Sequence, residues 1–348
     1  MSLKTRDGAV IETDSGKDKM LRWLYGNAFG RIVLKPLTAR PVSKLVGGFM
    51  STRASCFMIK SFIKKNNIDM TQFEDTKHKS YNSFFTRKLR DGARPVDLTP
   101  EHLISPCDCK LTVLPVTADG SFVLKHTPYT VGSLLRNEEL AQKFEGGYVL
   151  IFRLAVDDYH RYHFFDDANV GQTVRIRGVL HTVNPLANDH FPIYKENTRE
   201  YTTLHTKNFG EAVMVEVGAM MVGRIVNHPG KTQVVRGEEK GMFQFGGSTV
   251  VVLLQKDAAV IDEDLLENSA KGIETKLRYG EKIGQKKYIK TPPRRSLCLW
   301  RSHEREIICA SGEDTKRNRC DLWAACVHAG QQKAFQSSGE LAPPKYRS

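Results

Sequence analysis

Met242 to Leu254 reads MFQFGGSTVVVLL, a buried β-strand with one flaw. The segment runs Phe-Gln-Phe and later Val-Val-Val-Leu-Leu, with the β-branched and apolar content of a strand buried on both sides. Gly246 and Gly247 interrupt it immediately before Ser248 and Thr249. Glycine inside a strand weakens pairing and offers nothing to pack, so it marks a bulge or a close backbone approach. The break in front of a hydroxyl is either a plain bulge or a sign of chemistry at the backbone.

Similar runs surround it. From about residue 96 the segments KLTVLPV, GSFVLKH, GGYVLIFRL, QTVRIRGVLHTV, AVMVEVGAMMVGRIV and TQVVRG recur between turn residues. Their spacing predicts a β-rich domain, a barrel or a sandwich, and no strand–helix alternation indicates a doubly wound sheet. One helical stretch, IDEDLLENSA, follows the last long strand. Residues 18 to 66 read differently: Leu21, Leu24, Tyr25 and Phe29, then Met58, Ile59, Phe62 and Ile63, recur at helical spacing with Lys and Arg between them. Such basic amphipathic helices either pack on the core or lie on a membrane interface, and packing is the more common outcome. The predicted class is therefore α+β, with amphipathic helices over residues 1–95, a β-rich domain over 96–284 and a basic tail over 285–348. The tail carries thirteen Lys and Arg against six Asp and Glu, and four of the seven cysteines, without clear periodicity.

A chain of 348 residues can bury a sizeable core. No window approaches 18 uninterrupted apolar residues, which argues against a transmembrane helix. The polar N-terminus is unlike a signal peptide, so a cytoplasmic location is expected. The net charge of +13 favours an anionic partner, a lipid surface or a nucleic acid. The seven cysteines, odd in number and unevenly spread, read as free thiols.

Three spots combine reactive side chains with unusual backbone: Gly246-Gly247-Ser248-Thr249, the SPCDCK turn with Asp108, and DDYHRYHFFDD with His160 and His163. An Asp, a His and a Ser are the parts of an activated nucleophile, in which the imidazole takes the hydroxyl proton and the carboxylate orients the imidazole. Each spot also has a bland reading. Asp108 beside Pro106 serves as an ordinary turn residue, and His160 and His163, three apart on a strand, face opposite ways. The histidines lack the spacing of a metal site, and no metal is expected.

Taken together, these motifs resemble the phosphatidylserine decarboxylase family of pyruvoyl-dependent enzymes. The resemblance runs from about Tyr25 to Gly284. LKPLTARPVSKLVGGFMSTRAS and YNSFFTRKLRDGARPVD are similar to the family's N-terminal region, SPCDCK to its SP-x-D turn, and DDYHRYH to its DYHR-x-H motif. VNPLANDHFPIYKENTRE and VEVGAMMVGRI are similar to its later strands, and FGGST to its processing site. Cys109 departs from the glycine that many members have after the aspartate, and Val156-Asp157 from the frequent Pro-x before DYH; neither change removes a reactive group.

The resemblance implies that the bond between Gly247 and Ser248 cuts itself, with His163, oriented by Asp108, as the base. Ser248 then becomes a covalent pyruvoyl group that decarboxylates phosphatidylserine to phosphatidylethanolamine through a Schiff base, and His160 protonates the substrate carbon. It further implies that the large and small chains stay associated, that a dimer of cut protomers is possible, and that the basic helices from Met20 to Ile68 dock on the cytoplasmic side of the cell membrane. No nucleic acid is then expected. A conventional serine hydrolase is the first rival, weakened because Ser248 lacks a Gly-x-Ser-x-Gly elbow. A catalytically idle basic protein that binds lipid or nucleic acid is the second, weakened by the lack of a nucleic-acid motif.

Overall fold

The Ser248–Leu254 strand is buried at all seven positions, because both faces of its sheet are covered. Val250, Val252 and Leu254 join one apolar layer, and Val251 and Leu253 join the other. That two-sided burial explains why the run lacks the polar alternation of a half-exposed strand. In this computed structural model the chain is described at residues 3–11, 23–124, 127–183, 191–219, 224–244 and 248–288. The interrupting glycines, Gly246 and Gly247, and the 289–348 part of the tail lie outside these residues.

The main sheet has ten strands in the order Gln233–Val234, Ala168–Ile176, Arg199–Thr206, Gly210–Val217, Ser248–Leu254, Tyr148–Leu154, Cys109–Pro115, Glu274–Leu277, Leu3–Lys4 and Val10–Ile11. It is open at both ends, so of barrel and sandwich the layered form is found. Its central strands run antiparallel: Val217 faces Thr249, and Ser248 faces Leu154. Helix Glu263–Ala270 and two three-stranded sheets supply the first apolar layer, through Leu265, Leu103, Ile283, Tyr162 and Phe243. The hairpin Ser121–Leu124 with Thr127–Thr130 and the helix Val131–Leu135 supply the second, through Phe122, Tyr129 and Leu134.

The first residues depart from the sequence reading. Leu3–Lys4 is not helical but a strand paired parallel to Glu274–Leu277, anchored nearby by Arg6 bonding Asp262 and Asp264 at 2.8 and 2.9 Å. Helices follow at Ala28–Thr38, Arg40–Met50 and Phe57–Lys65. The latter two pack through Met50, Phe62 and Ile63 onto Tyr81, Phe84 and Phe85. The strand Lys282–Lys286 runs past Gly284, and all the described residues belong to one compact unit, Met1–Tyr288.

Candidate active site

Two strands of the main sheet end side by side. Leu154, the last residue of Tyr148–Leu154, pairs with Ser248, the first of Ser248–Leu254. Beyond them, strand Arg161–His163 pairs with Glu239–Gln244, and the Phe243 N–H donates to the His160 carbonyl at 2.9 Å. The 155–160 connection therefore passes from the main sheet to the sheet of Arg161–His163 and Glu239–Gln244. By strand alternation Ser248 shares its face with Val250 and Leu154, the face that carries Tyr162, Cys107 and Cys109. Ser248 is 1% exposed, and among the described residues its Oγ has no hydrogen-bond partner.

The two histidines sit in separate aromatic settings. The His163 ring stacks on Tyr279 with centroids 3.7 Å apart, and its Nδ1 lies 3.3 Å from the Pro106 carbonyl. A carbonyl only accepts, so Nδ1 carries the proton and Nε2 is the basic nitrogen. The backbone N–H of His163 donates to the same carbonyl at 2.9 Å. His160 donates Nδ1–H to the Asp158 carbonyl at 2.8 Å, lies 4.0 Å from the Phe85 ring, and leaves Nε2 without a partner among the described residues. Burial pushes His163 down to about 4 and His160 to about 3, because the imidazolium loses its hydration. Both are neutral at pH 7.

Asp108 requires a correction. Among the described residues it makes no hydrogen bond to His163. Its Oδ2 accepts from Arg94 Nη2 at 2.8 Å, and its Oδ1 accepts from the Tyr279 N–H at 2.8 Å. A guanidinium fork matches a carboxylate better than an imidazole N–H does, and Pro106 already occupies the imidazole. Asp108 still reaches His163 indirectly, since the residue it pins, Tyr279, supplies the stacking ring. Gly280, at φ +80, makes the turn that presents Tyr279; a Cβ there would lie 2.8 Å from Val96 Cα.

The 155–160 connection is itself clamped. Lys110 Nζ reaches Asp158 Oδ2 at 2.7 Å, and the same oxygen accepts the Ala155 N–H at 2.7 Å. Burial raises the Asp158 carboxyl from its ordinary value, opposed chiefly by Lys110. The helix Tyr81–Phe85 starts from a Ser80–Ser83 capping box and delivers Phe85 to His160 and Arg87 to the Asp157 carbonyl. The structure thus joins the turn bearing Asp108 to His163 through the Pro106 carbonyl, and sets Ser248 opposite Leu154, from which the 155–160 connection leads to His160; Gly247 lies outside the described residues. Sequence reading had passed over Arg87, Arg94, Lys110 and Tyr279. Arg87 and Arg94 lie within the quoted YNSFFTRKLRDGARPVD motif, whereas Tyr279 has no local signal.

Comparison with known proteins agrees with this arrangement. The family model described as phosphatidylserine decarboxylase matches residues 81–285. The chain is 44% identical over 270 residues to phosphatidylserine decarboxylase proenzyme 2 of Clostridium acetobutylicum, an alignment covering 77% of this chain and 92% of that protein. It is 39% identical to the phosphatidylserine decarboxylase proenzyme of Clostridium novyi over 282 residues, 79% of this chain and 95% of the relative. The proenzyme of Fusobacterium nucleatum is 39% identical over 275 residues, 77% and 91% of the two chains. With a family match over more than half its length, and relatives this similar along most of theirs, the chain belongs to the phosphatidylserine decarboxylase family of carboxy-lyases.

Proposed function

We propose that the chain is a self-processing proenzyme that converts phosphatidylserine to phosphatidylethanolamine and carbon dioxide, using a pyruvoyl group made from Ser248. The observation that carries this reading is the Ser248 hydroxyl, buried and without a partner among the described residues, at the first position of a central strand. Leaving a buried hydroxyl unsatisfied costs about 1–3 kcal/mol, and such groups in native proteins call for an explanation in function or strain.

His163 Nε2 takes the Ser248 proton as Oγ attacks the carbonyl carbon of Gly247. The Gly247–Ser248 peptide bond breaks, the nitrogen of residue 248 takes up the proton, and an ester remains. Loss of the residue 248 Cα proton expels the Gly247 carboxylate and leaves dehydroalanine. Tautomerisation and hydrolysis then release ammonia and leave a pyruvoyl group at the start of the smaller chain. The depressed pKa of His163 keeps it in the proton-accepting form at neutral pH. Asp108 acts by holding Tyr279, and through it the imidazole.

Buried Leu154 and Val250, on the same face as residue 248, exclude water there, and His160 Nε2 has no competing partner among the described residues. The ketone supplies an electron sink for the departing carboxyl group. His160 Nε2 is available to return a proton to the substrate carbon. The cut leaves the Ser248–Leu254 strand hydrogen-bonded on both sides, to Gly210–Val217 and Tyr148–Leu154, which keeps the two chains associated.

Attachment to the cytoplasmic side of the cell membrane fits the N-terminal helices. Phe29, Ile32, Leu45, Phe49 and Phe57 are exposed there, with exposed Lys35, Lys44, Lys60 and Lys64 among them. Apolar residues beside lysines suit an anionic interface. No helix among the described residues is long and apolar enough to cross a membrane.

Intact mass measurement tests the core of the proposal. Wild-type protein should give residues 1–247 and 248–348 as two species, the smaller with a blocked N-terminus. Ser248→Ala should give one inactive chain. A wild-type protein active on phosphatidylserine as a single chain with an intact serine would end this reading.

A further inference from the structure

The buried cations of the described residues are compensated, with one exception. Lys110 bonds Asp158 at 2.7 Å, Lys240 bonds Glu216 at 2.9 Å and Arg161 bonds Glu239 at 2.6 Å. Arg94 and Arg236 reach Asp108 and Asp166 at 2.8 and 2.9 Å. Arg199 has no carboxylate partner, but carbonyl oxygens of Leu134, Lys195, Asn197 and Ser133 accept its N–H groups at 2.6, 2.8, 3.0 and 3.0 Å.

Among the described residues Arg87 has no carboxylate partner and only two long carbonyl contacts. It is 3% exposed, its hydrogen-bond acceptors are the Phe84 carbonyl at 3.5 Å and the Asp157 carbonyl at 3.4 Å, and Nε has none. Its guanidinium carbon lies 4.3 Å from the Phe73 ring centre and 4.9 Å from that of Phe84. These rings hold the group and offset part of its lost hydration. They do not replace a counter-ion in contact, and burial pulls Arg87 down to about 10, opposed only in part by the charges of Asp108, Asp157 and Asp158. An uncompensated buried charge costs several kcal/mol unless it meets an anion.

Its position connects it to the candidate active site. Asp157 belongs to the 155–160 connection that ends at His160 and begins beside the partner of Ser248. Phe85, two residues before Arg87, packs on the His160 ring. Arg87 Nε, His160 Nε2 and Ser248 Oγ are three buried polar atoms near this connection that have no partner among the described residues.

We infer that Arg87 receives the phosphodiester of the lipid headgroup, an inference that rests on the phosphatidylserine reading above. The substrate offers two anions, and the chemistry separates them. The carboxylate loses its charge as carbon dioxide departs, so a cation holding it would stabilise the ground state over the transition state. The phosphodiester keeps its charge from substrate to product. A cation on it supplies binding without opposing the reaction, and a guanidinium suits phosphate oxygens.

Two short-chain lipids isolate this contact. Dihexanoyl phosphatidylmethanol carries the phosphodiester without amine or carboxylate; dihexanoylglycerol carries the same chains without phosphate. Calorimetric titration of full-length wild-type protein should show at least about tenfold tighter binding of the phosphatidylmethanol, the size of one charge-assisted hydrogen bond. Arg87→Gln should lose that preference and Arg87→Lys should keep part of it, while KM for dihexanoyl phosphatidylserine rises by a similar factor in Arg87→Gln with a smaller change in kcat. A preference retained in Arg87→Gln, or absent in wild type, overturns the inference. So does a fall in kcat at unchanged KM, which would place Arg87 at the carboxylate. Should Arg87→Gln fail to fold, the wild-type preference and its partial loss in Arg87→Lys decide. Wild-type protein that stays a single inactive chain would remove the decarboxylase reading instead, and phosphatidylmethanol binding would still report on Arg87.

Discussion

Arg94→Gln tests how the site is held together. Arg94 donates Nη2 to Asp108 Oδ2 at 2.8 Å and Nε to both oxygens at 3.2 and 3.3 Å, with side chains only 9% and 11% exposed. Removing one partner of a buried pair costs about 3–5 kcal/mol. The Tyr279 N–H still donates to Asp108 at 2.8 Å, so the lower end, about 3 kcal/mol, is expected. For a unit of this size that corresponds to a fall in Tm of roughly 5 °C. The measurement belongs in a Ser248→Ala background, where the chain stays whole and chain cutting does not confuse the unfolding transition. With Ser248 restored, Arg94→Gln should also slow maturation, because a loosened Asp108 no longer pins Tyr279 against His163. A loss below about 1 kcal/mol would show that Asp108 finds compensation elsewhere. Maturation at the wild-type rate would show that the Arg94–Asp108–Tyr279 chain does not position the base.

The histidines should fail differently: His163→Ala should leave the chain uncut, and His160→Ala should still cut yet lose decarboxylation. Gel analysis of both variants checks this, and normal cutting in His163→Ala would reverse the roles. Acid sensitivity has a defined sign. The folded imidazoles titrate near 4 and 3 but near ~6.5 when unfolded, so the unfolded chain binds more protons between these values. Stability is then full above ~6.5 and falls as pH drops toward 4. Urea midpoints of the Ser248→Ala chain should decline over that window, less steeply in His163→Gln; equal slopes would contradict the burial argument. Binding to anionic vesicles should weaken with salt, since screening lengths shorten to about 8 Å at physiological ionic strength. Deleting residues 1–66 without loss of vesicle binding would rule out the helices as the docking surface.

What could be read locally was read from local signals. Ser248–Leu254 and Tyr148–Leu154 announce themselves as dense apolar runs, and Glu263–Ala270 as a helix. The chain also carries its reactive side chains in ordered motifs that need no coordinates to find. Leu3–Lys4 was missed because two residues hold no periodicity, and its strand exists only where Glu274–Leu277 offers a partner.

The amino-acid sequence by itself determined the α+β composition, the strand beginning at Ser248 and the identity of the candidate groups, because side-chain type and spacing are local properties. The tertiary structure decided which of those groups share a setting and how each is held. Asp108 turned out to face Arg94 and Tyr279, the latter 171 residues away along the chain, and the Pro106 carbonyl selected the His163 tautomer. Arg87 reads in the sequence as one more basic residue among many. Its want of a close counter-ion appears only once folding has removed it from water and paired Asp108 with Arg94 and Asp158 with Lys110. Hydrogen-bond partners and burial depend on strand order and register, which join residues far apart in the chain and leave no mark in any short stretch of it.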